Sequence, residues 1–281
     1  MSAIDRLFRK LPFFRGKQRI VSFLFKRKID SAKDLWVDGK YKCSYLLPNL
    51  EESISKEIFV NGIYEDKTSG LIVNRLPKGG VFLDLGANIG AISVPVCKQR
   101  QDARIVCVEA SPYVFDYLAQ NLARNECSKV TAVNKALFYE DDMELDFYAP
   151  ESRFGQGSFS PNFTSDATKV KTIKLDSLLG ELKLPKVDLI KIDVEGYEYH
   201  VFKGATDLLE REDAPDILFE FSSWAEQNAH GIQTGSAQEL LRDLGYKIFY
   251  FHDKKRHMNE TTDILRKGFF MLYATKKSLN N

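Results

Sequence analysis

The pattern of apolar and polar positions changes along the chain and becomes regular from Val81 onward. Short apolar runs, each suited to a strand buried on both faces of a sheet, occur at 81–85, 103–108, 130–134, 187–193 and 216–221. Segments with helical spacing follow them at 91–97, 112–124, 195–210 and 236–244. This alternation predicts an α/β fold with a doubly wound, mostly parallel sheet.

The segment before Val81 has a different pattern. Asp38 and Gly39 are a strong turn signal between two short runs, so residues 34–47 predict a β-hairpin. Two helices are expected at 51–60 and 66–76. After the third regular strand, a second hairpin is predicted at 137–147, with its turn at residues 140–142.

Residues 150–168 form a long stretch that is rich in Ser, Gly, Asn and Phe. Long loops are uncommon in compact domains and tend to be functional. Two interpretations stay open from the sequence: a lid over a substrate, with Phe154 and Phe159 as its notable side chains, and a disordered surface loop.

The strand at 81–85 ends in a compact turn of small residues. Gly86, Asn88 and Gly90 follow it in the spacing G-x-N-x-G. Glycine in such a turn permits unusual dihedral angles and lets a ligand approach the bare backbone. The spacing differs from the dinucleotide fingerprint G-x-G-x-x-G, because Asn88 and Ala91 occupy the second and third glycine positions. The turn alone also suits an ordinary α/β core.

Two carboxylates accompany this turn. Asp84 lies near the end of a buried strand and therefore needs a partner, for which a ligand ammonium group or a bound water is a candidate. Glu109 ends the following strand, where an acidic residue can accept hydrogen bonds from both hydroxyl groups of a ribose. Together the turn and Glu109 indicate a nucleoside-bearing ligand that has no pyrophosphate.

These motifs resemble a known family. The run D-L-G-A-N-I-G at 84–90, followed by V-E-A-S-P at 108–112, is similar to class I S-adenosylmethionine-dependent methyltransferases. More narrowly, L-I-K-I-D-V-E-G-Y-E at 189–198 resembles the signature of the FkbM family of methyltransferases. The resemblance extends in the same order from about Gly62 to Ala274.

The resemblance implies a Rossmann-like, seven-stranded, mostly parallel sheet whose last strand is antiparallel, here in a closing hairpin of 247–251 with 268–274. It also implies S-adenosyl-L-methionine as the cofactor. The residues expected to bind it are Asp84, Gly86, Asn88, Gly90, Glu109 and Ala136. Ala136 is included because the adenine edge lies against this loop in class I methyltransferases. Residues 1–75 are expected to form an N-terminal arm, hairpin and helices, and residues 76–281 the methyltransferase domain.

The candidate catalytic residues follow the fourth parallel strand. Lys191, Asp193 and Glu195 are spaced by two and would share one side if the strand continued that far. A hydroxyl is a weak nucleophile that a nearby base would help, so Asp193 is the first candidate and Glu195 the second. Lys191 would keep the two carboxylates ionised.

Two further side chains near this strand have competing interpretations. Glu220, at the end of the fifth strand, could join Asp193 in holding a divalent cation, but carboxylates alone are a weak metal signal and no metal site is assigned. His200 stands alone on the following helix and is interpreted as a packing residue.

Composition narrows the class of protein. The net charge of +1 over 281 residues does not suggest a nucleic-acid partner. The four cysteines contain no C-x-x-C pair, which argues against a zinc site or a redox motif. Cys97 and Cys107 are expected to be core thiols in a reducing compartment. No apolar run approaches the length of a membrane span.

The N-terminal segment is strongly basic. Residues 1–28 contain nine Lys or Arg and one acid, Asp5, and lack the apolar region and cleavage site of a signal peptide. One interpretation is an interfacial segment on an anionic membrane, and the other is a helical arm packed on the catalytic domain. The expected location is therefore cytoplasmic, with peripheral association at the inner membrane face under the first interpretation.

The sequence predicts an enzyme, an S-adenosylmethionine-dependent methyltransferase. The resemblance implies that it O-methylates a hydroxyl of a sugar in a glycan, glycolipid or exopolysaccharide precursor. N- or O-methylation of a small natural product is the runner-up. A non-catalytic nucleoside-binding module is disfavoured by the intact acidic residues, and an NAD-dependent oxidoreductase is disfavoured by Asn88 and Ala91.

Overall fold

The structure is a computed structural model that describes residues 31–251 and 258–278, together with the single positions Ile20 and Ile29. The basic segment 1–28 lies outside the described residues, apart from Ile20, and both interpretations of it stay predictions. No helix in the described ranges has the length and apolar character needed to cross a bilayer.

The strands are numbered in chain order. They are β1 (Lys33–Asp38), β2 (Ser44–Asn49), β3 (Val81–Leu85), β4 (Arg104–Glu109), β5 (Val130–Asn134), β6 (Ala136–Leu137), β7 (Glu144–Phe147), β8 (Thr168–Ile173), β9 (Leu189–Ile192), β10 (Asp216–Ser222), β11 (Lys247–Tyr250), β12 (Asn259–Glu260) and β13 (Phe269–Thr275).

The α-helices are short. They are α1 (Ser53–Asn61), α2 (Asp66–Arg75), α3 (Ser93–Gln99), α4 (Pro112–Arg124), α5 (Leu175–Glu181), α6 (Glu198–Lys203), α7 (Thr206–Glu210), α8 (Ser223–Asn228) and α9 (Ser236–Asp243). Two further segments, Lys40–Lys42 and Glu151–Gln156, are 3₁₀-helices.

The central sheet has the strand order β12-β11-β13-β10-β9-β3-β4-β5. The neighbours from β10 through β9, β3 and β4 to β5 are parallel, whereas β13 is antiparallel to both β10 and β11. The predicted doubly wound, seven-stranded sheet with an antiparallel last strand is confirmed. The two-residue strand β12 adds an eighth member at the edge beside β11.

Alternate residues of the parallel strands pack into two different cores. In β3, Phe82 belongs to one apolar cluster and Leu83 to another, and in β4 Ile105 and Val106 divide in the same way. Because successive side chains of a strand point to opposite faces, these clusters cover the two faces of the sheet. This explains why the strands are apolar without interruption.

The N-terminal hairpin is present, but its predicted turn is wrong. β1 and β2 pair antiparallel, and the chain reverses through Lys40–Lys42, where Tyr41 and Lys42 adopt φ of 54° and 59°. Gly39 has an extended conformation, so Asp38 and Gly39 do not form a two-residue turn. The Asp-Gly pair correctly indicates that the chain reverses here, but the position of the turn depends on contacts with a distant segment. The Lys40 N–H donates to Gly62 O at 2.7 Å, which holds the turn at Lys40–Lys42.

The second predicted hairpin is also wrong. β6 and β7 do not pair with each other; β6 is parallel to β8 and β7 is antiparallel to β8. The partner strand is supplied by residues 168–173, beyond the long loop, so this pairing is not visible in a local pattern. The three strands form a small separate sheet.

Two further expectations need correction. The predicted helix at 195–210 is divided into α6 and α7, and its first residues belong to a turn before α6. Cys97 is not a free core thiol, because it is joined to Cys127 in a disulfide across 30 residues of sequence, while Cys107 is free and buried as expected. The division of the chain at residues 75 and 76 stays a prediction.

Candidate active site

The candidate site is a pocket at the carboxyl edge of the sheet, where β3, β4 and β9 end. Ligands of parallel sheets bind in this position. The pocket is lined by six of the eight predicted site residues, namely Gly86, Asn88, Glu109, Ala136, Asp193 and Glu195. Asp84 and Gly90 do not line it. The roles of all eight in binding or catalysis stay predictions.

The glycine turn brings backbone to the pocket wall because its residues adopt left-handed conformations. Gly86, Asn88 and Gly90 have φ of 74°, 51° and 82°. The N–H groups of Gly86 and Ala87 both donate to Val108 O, at 2.9 and 3.0 Å, which ties the turn to the end of β4. A Cβ on Gly86 would collide with the carbonyl oxygen of Asp193, so only glycine fits there.

Glu109 is fixed by the turn that it accompanies. Its Oε2 accepts from the Asn88 N–H at 2.9 Å and its Oε1 accepts from the Ser111 N–H at 2.8 Å. A carboxylate offers about four acceptor positions, so each oxygen retains one for a ligand hydroxyl. Burial raises the pKa of the Glu109 carboxyl to about 7. The arrangement fits two adjacent ribose hydroxyls, which would donate to the oxygens not used by the backbone.

The side chains that contact the Asp84 carboxylate are buried inside the protein, and Asp84 does not line the pocket. Its Oδ2 accepts from the Ser93 hydroxyl at 2.5 Å, and its Oδ1 lies 3.8 Å from the Lys191 ammonium nitrogen. The side chain is fully buried, and burial raises the pKa of its carboxyl. The compensating charge for Asp84 is therefore Lys191, which the sequence suggested only as a partner for Asp193 and Glu195.

Lys191 connects the two sides of the pocket. Its Nζ lies 3.3 Å from the carbonyl oxygen of Gly86 and 3.4 Å from Oδ2 of Asp193. Burial disfavours its charge, but the surrounding carboxylates, chiefly Asp193 and Asp84, outweigh burial and raise the pKa of Lys191. The lysine is consequently a buried cation at neutral pH, positioned between the glycine turn and the candidate catalytic carboxylate.

The segment after β9 is a turn that presents Asp193 and Glu195 to the pocket. Glu195 and Gly196 have φ of 53° and 95°. A Cβ added to Gly196 would lie only 2.5 Å from the carbonyl carbon of Ala225, so a side chain does not fit there. Glu198 stabilises the turn, because its Oε1 accepts from the Val194 N–H at 2.9 Å. Burial and then the charge of Asp193 raise the pKa of the Glu195 carboxyl to about 8.

Further carboxylates stand close to this turn. Burial, followed by the charges of Asp193 and Glu195, raises the pKa of Glu220 well above its usual range, and burial and Asp193 also raise the pKa of Glu65. Within the described ranges, no group of three or more His, Cys, Asp or Glu side chains is arranged to hold a metal ion. We refer to Lys191, Asp193, Glu195, Glu198 and Glu220 as the acidic side of the pocket, and to Gly86–Gly90 with Glu109 as the glycine-turn side.

The long segment 150–168 forms part of the pocket wall. Phe154, Gly155, Gly157 and Phe159 line the pocket, and Phe154 is buried. The Asn88 side-chain amide lies 3.4 Å from Phe154 O, which connects this segment to the glycine turn. These contacts favour the lid interpretation over that of a disordered loop.

Sequence reasoning missed several residues of the site. Ile54 and Phe147 line the pocket without having been expected there. Tyr64 and Lys135 also line it, and both belong to segments that the resemblance places beside the cofactor, at 62–65 and 134–137. Glu198 was part of the recognised signature without an assigned role. It is the first residue of α6, and the hydrogen bond that it accepts from the Val194 N–H fixes the turn before that helix. Phe147 carries no comparable signal in the sequence, because its position depends on the small sheet of β6, β7 and β8.

The family model described as methyltransferase FkbM domain matches residues 84–248, which is more than half of the chain. The matched range contains the glycine turn, Glu109 and the acidic side of the pocket.

Three curated relatives are 25–29% identical to this chain over the aligned residues. The chain is 29% identical over 196 residues to methyltransferase sdnD of Sordaria araneosa, with 58% of this chain and 72% of the relative covered. It is 27% identical over 140 residues to the hexuronic acid methyltransferase AglP of Haloferax volcanii, with 50% and 56% covered. It is 25% identical over 275 residues to the AMB antimetabolite synthetase AmbE of Pseudomonas aeruginosa, with 82% of this chain but 12% of that much longer protein covered.

Proposed function

The chain belongs to the FkbM family of methyltransferases, and from that premise we propose that it transfers a methyl group from S-adenosylmethionine to a hydroxyl oxygen of a sugar. The sugar would be part of a glycan, a glycolipid or an exopolysaccharide precursor. The family membership supports methyl transfer. The similarity to AglP, which is named a hexuronic acid methyltransferase, supports a sugar acceptor.

The observation that carries the cofactor proposal is the geometry of Glu109. Two backbone N–H groups hold its carboxylate, and each oxygen retains acceptor capacity toward the pocket. The loop at Ala136 lies on the same wall, where the adenine edge is expected, and the bare backbone of Gly86 permits close approach. These features suit a nucleoside better than a dinucleotide, whose pyrophosphate requires a different glycine spacing.

The acidic side of the pocket suits the other end of the cofactor. S-adenosylmethionine supplies an electrophilic methyl group on a positively charged sulfonium. Asp193 and Glu195, which line the pocket beyond the glycine turn, would stabilise that positive charge. The lid residues Phe154 and Phe159 would exclude water, which strengthens such electrostatic contacts.

Methyl transfer requires an acceptor oxygen aligned with the methyl carbon and a group that takes the hydroxyl proton. Glu195 suits the role of base, because a carboxyl whose pKa is about 8 takes a proton more readily than an ordinary one. Asp193, whose Oδ2 lies 3.4 Å from the Lys191 ammonium nitrogen, would orient the acceptor hydroxyl. The carbon–oxygen bond would form as the carbon–sulfur bond of the sulfonium breaks, so that S-adenosylhomocysteine leaves and Glu195 takes the hydroxyl proton.

The cofactor proposal can be tested by calorimetric titration with S-adenosylmethionine and with NAD. We expect the full chain to bind S-adenosylmethionine and not NAD, and Glu109→Ala to weaken binding by roughly 1.5–3 kcal/mol because two hydroxyls lose a charged acceptor. Thermal unfolding of the variant is the necessary control, since Glu109 also holds Asn88 and Ser111. Unchanged affinity in a folded Glu109→Ala protein would remove Glu109 from the site.

The catalytic proposal is tested separately with hexuronides and neutral glycosides as acceptors. Asp193→Asn should retain most of the cofactor binding and lower single-turnover methyl transfer by roughly 10²-fold. Glu195→Gln should lower transfer more at high pH than at low pH, because the base that is lost ionises near pH 8 and is already protonated in the wild type at low pH. A folded Asp193→Asn protein with near wild-type turnover would refute this assignment.

A second candidate function is N- or O-methylation of a small natural product. The observation that favours it is the similarity of 82% of the chain to part of the AMB antimetabolite synthetase, which is not named for a sugar substrate. Small non-sugar alcohols and amines added to the acceptor panel distinguish the two candidates, because their methylation without methylation of glycosides would support the second.

A peripheral membrane location belongs to the same proposal. Residues 1–28 have a net charge of +8, which would attract an anionic membrane at the cytoplasmic face. The full chain should float with acidic liposomes and be released by high salt, because salt screens this attraction. Equal flotation by a variant that lacks residues 1–28 would contradict the proposal.

A further inference from the structure

A second depression lies next to the pocket and is open to solvent. We call it the aromatic groove; its walls include Phe138, Tyr139, Tyr197, Tyr199, His200 and Lys203. Phe159 of the lid segment lines both the groove and the pocket that contains Glu195. The groove and the candidate active site are therefore neighbours that share the Phe159 side chain.

The groove is built from stacked rings. The His200 imidazole lies parallel to the Phe138 ring, with centroids 4.8 Å apart and an interplanar angle of 6°, and Tyr139 stacks on His200 at 5.6 Å. Burial, with a smaller contribution from Lys203, lowers the pKa of His200 to about 4, so its ring is neutral at neutral pH. Tyr139 is 40% exposed and forms the outer surface of the stack.

The floor of the groove is tied to the lid. The Ser160 hydroxyl donates to Asn228 O at 2.6 Å and lies 2.9 Å from the Tyr197 hydroxyl. Tyr197 also packs edge-on against Phe159, with ring centroids 5.0 Å apart. The groove and the lid segment thus form one packed unit, and a molecule in the groove would contact the side chain that closes the pocket.

Lys203 provides a positive charge at the rim. Its Nζ lies 5.5 Å from the centre of the Tyr139 ring and 5.8 Å from that of Tyr199, and no ion pair joins it to a carboxylate within the described ranges. Asp146 also lines the groove, but its carboxylate is paired with Lys169 at 2.8 Å. A ligand in the groove would therefore meet an aromatic surface with one uncompensated cation beside it.

We propose that the aromatic groove binds the methyl acceptor, and that it selects a sugar ring that carries a carboxylate. The apolar face of the ring packs on Tyr139, its carboxylate accepts a charge-assisted hydrogen bond from Lys203, and the remainder of the acceptor passes Phe159 toward Glu195. A single ammonium group suits a singly charged carboxylate better than a doubly charged phosphate, for which guanidinium forks are typical. This inference rests on the proposed function.

The test uses the full chain saturated with S-adenosylhomocysteine and three probes: methyl β-D-glucuronide, methyl β-D-glucoside and glucose 6-phosphate. Binding is measured by saturation-transfer NMR and calorimetry. We expect the glucuronide to bind about 10-fold more tightly than the glucoside, because only the former receives a charged hydrogen bond. Lys203→Gln should abolish that difference, while Tyr139→Ala should weaken both glycosides.

Lys186→Gln is the matched control, because Lys186 is an exposed lysine whose Nζ pairs with Asp188 at the other side of β9. It should leave all three affinities unchanged. Affinity for S-adenosylhomocysteine should be the same in all variants. Equal binding of glucuronide and glucoside, or no effect of Lys203→Gln, overturns the inference, and tighter binding of glucose 6-phosphate overturns the carboxylate assignment. Failure to bind S-adenosylhomocysteine would contradict the proposed function. The glycoside titrations would still decide whether the groove binds a sugar that carries a carboxylate.

Discussion

On the glycine-turn side of the pocket, two backbone N–H groups hold Glu109, whereas on the acidic side Asp193 shares one buried ammonium group with Asp84. The first arrangement uses neutral groups whose positions are determined by the path of the chain. The second uses charges that must be compensated wherever they are buried. The two sides therefore differ in what holds them: backbone geometry in one, electrostatic balance in the other.

This difference has consequences for function. A backbone-held carboxylate is rigid and suits the recognition of a constant part of the ligand, such as a ribose. A cluster of carboxylates with raised pKa values responds to protons and to an incoming positive charge, as a site of chemistry must. We expect variants of the two sides to fail in different ways.

The largest effect should come from Lys191→Met, which removes the cation of the acidic side. Asp84 and Asp193 would lose their shared partner, and breaking a buried pair from one side typically costs about 3–5 kcal/mol. Urea unfolding should show this loss of stability at pH 7. Lys186→Met, which removes an exposed lysine from a surface pair, should cost less than about 1 kcal/mol.

The stability of Lys191→Met also reports on the protonation of Asp84. A stable Lys191→Met protein would mean that Asp84 is protonated in the variant, since burial raises the pKa of its carboxyl and a neutral carboxyl needs no cation. The acidic side would then be balanced by protons and not by Lys191.

The glycine-turn side should fail through sterics. Gly86→Ala combines a left-handed φ of 74° with a collision against the Asp193 carbonyl, and the two should cost roughly 2–4 kcal/mol together. Gly79→Ala is the matched control: Gly79 has φ of 69°, but an added Cβ would meet nothing within 4 Å. Thermal unfolding should therefore separate the collision from the dihedral strain. Similar losses in the two variants would mean that the backbone at Gly86 moves easily.

The contrast also explains which features could be predicted from the sequence. β3 was predicted to the residue, and the positions of Glu109 and the glycine turn were predicted, because a strand and its following turn are encoded by adjacent residues. The dependence of Asp84 on Lys191 was not, because these residues are over a hundred positions apart and meet only when β3 pairs with β9. The wrong hairpin at 137–147 has the same cause: the partner of β7 is β8, which lies beyond the loop.

The pH dependence of stability should belong to the acidic side, and for each group and pH unit it should be smaller than the losses above. Burial raises the pKa of Glu198 to about 8, above its ordinary value, and that of Glu195 shifts likewise. Below the ordinary value the carboxyls are protonated in both states, so stability is fully present. As the pH rises toward 8, the unfolded chain releases protons that the folded protein retains, and stability falls by at most about 1.4 kcal/mol per pH unit for each such group.

Glu198→Gln tests this sign directly. The amide oxygen of Gln can still accept from the Val194 N–H. The turn that presents Asp193 therefore keeps this hydrogen bond, while one buried carboxyl group is removed. We expect the variant to match the wild type near pH 5 and to lose less stability between pH 5 and pH 8. Glu181→Gln, at an exposed position at the end of α5, should follow the wild-type curve. Parallel curves for Glu198→Gln and the wild type would show that Glu198 is ionised in the folded protein, and that the acidic side has more positive compensation than Lys191 alone provides.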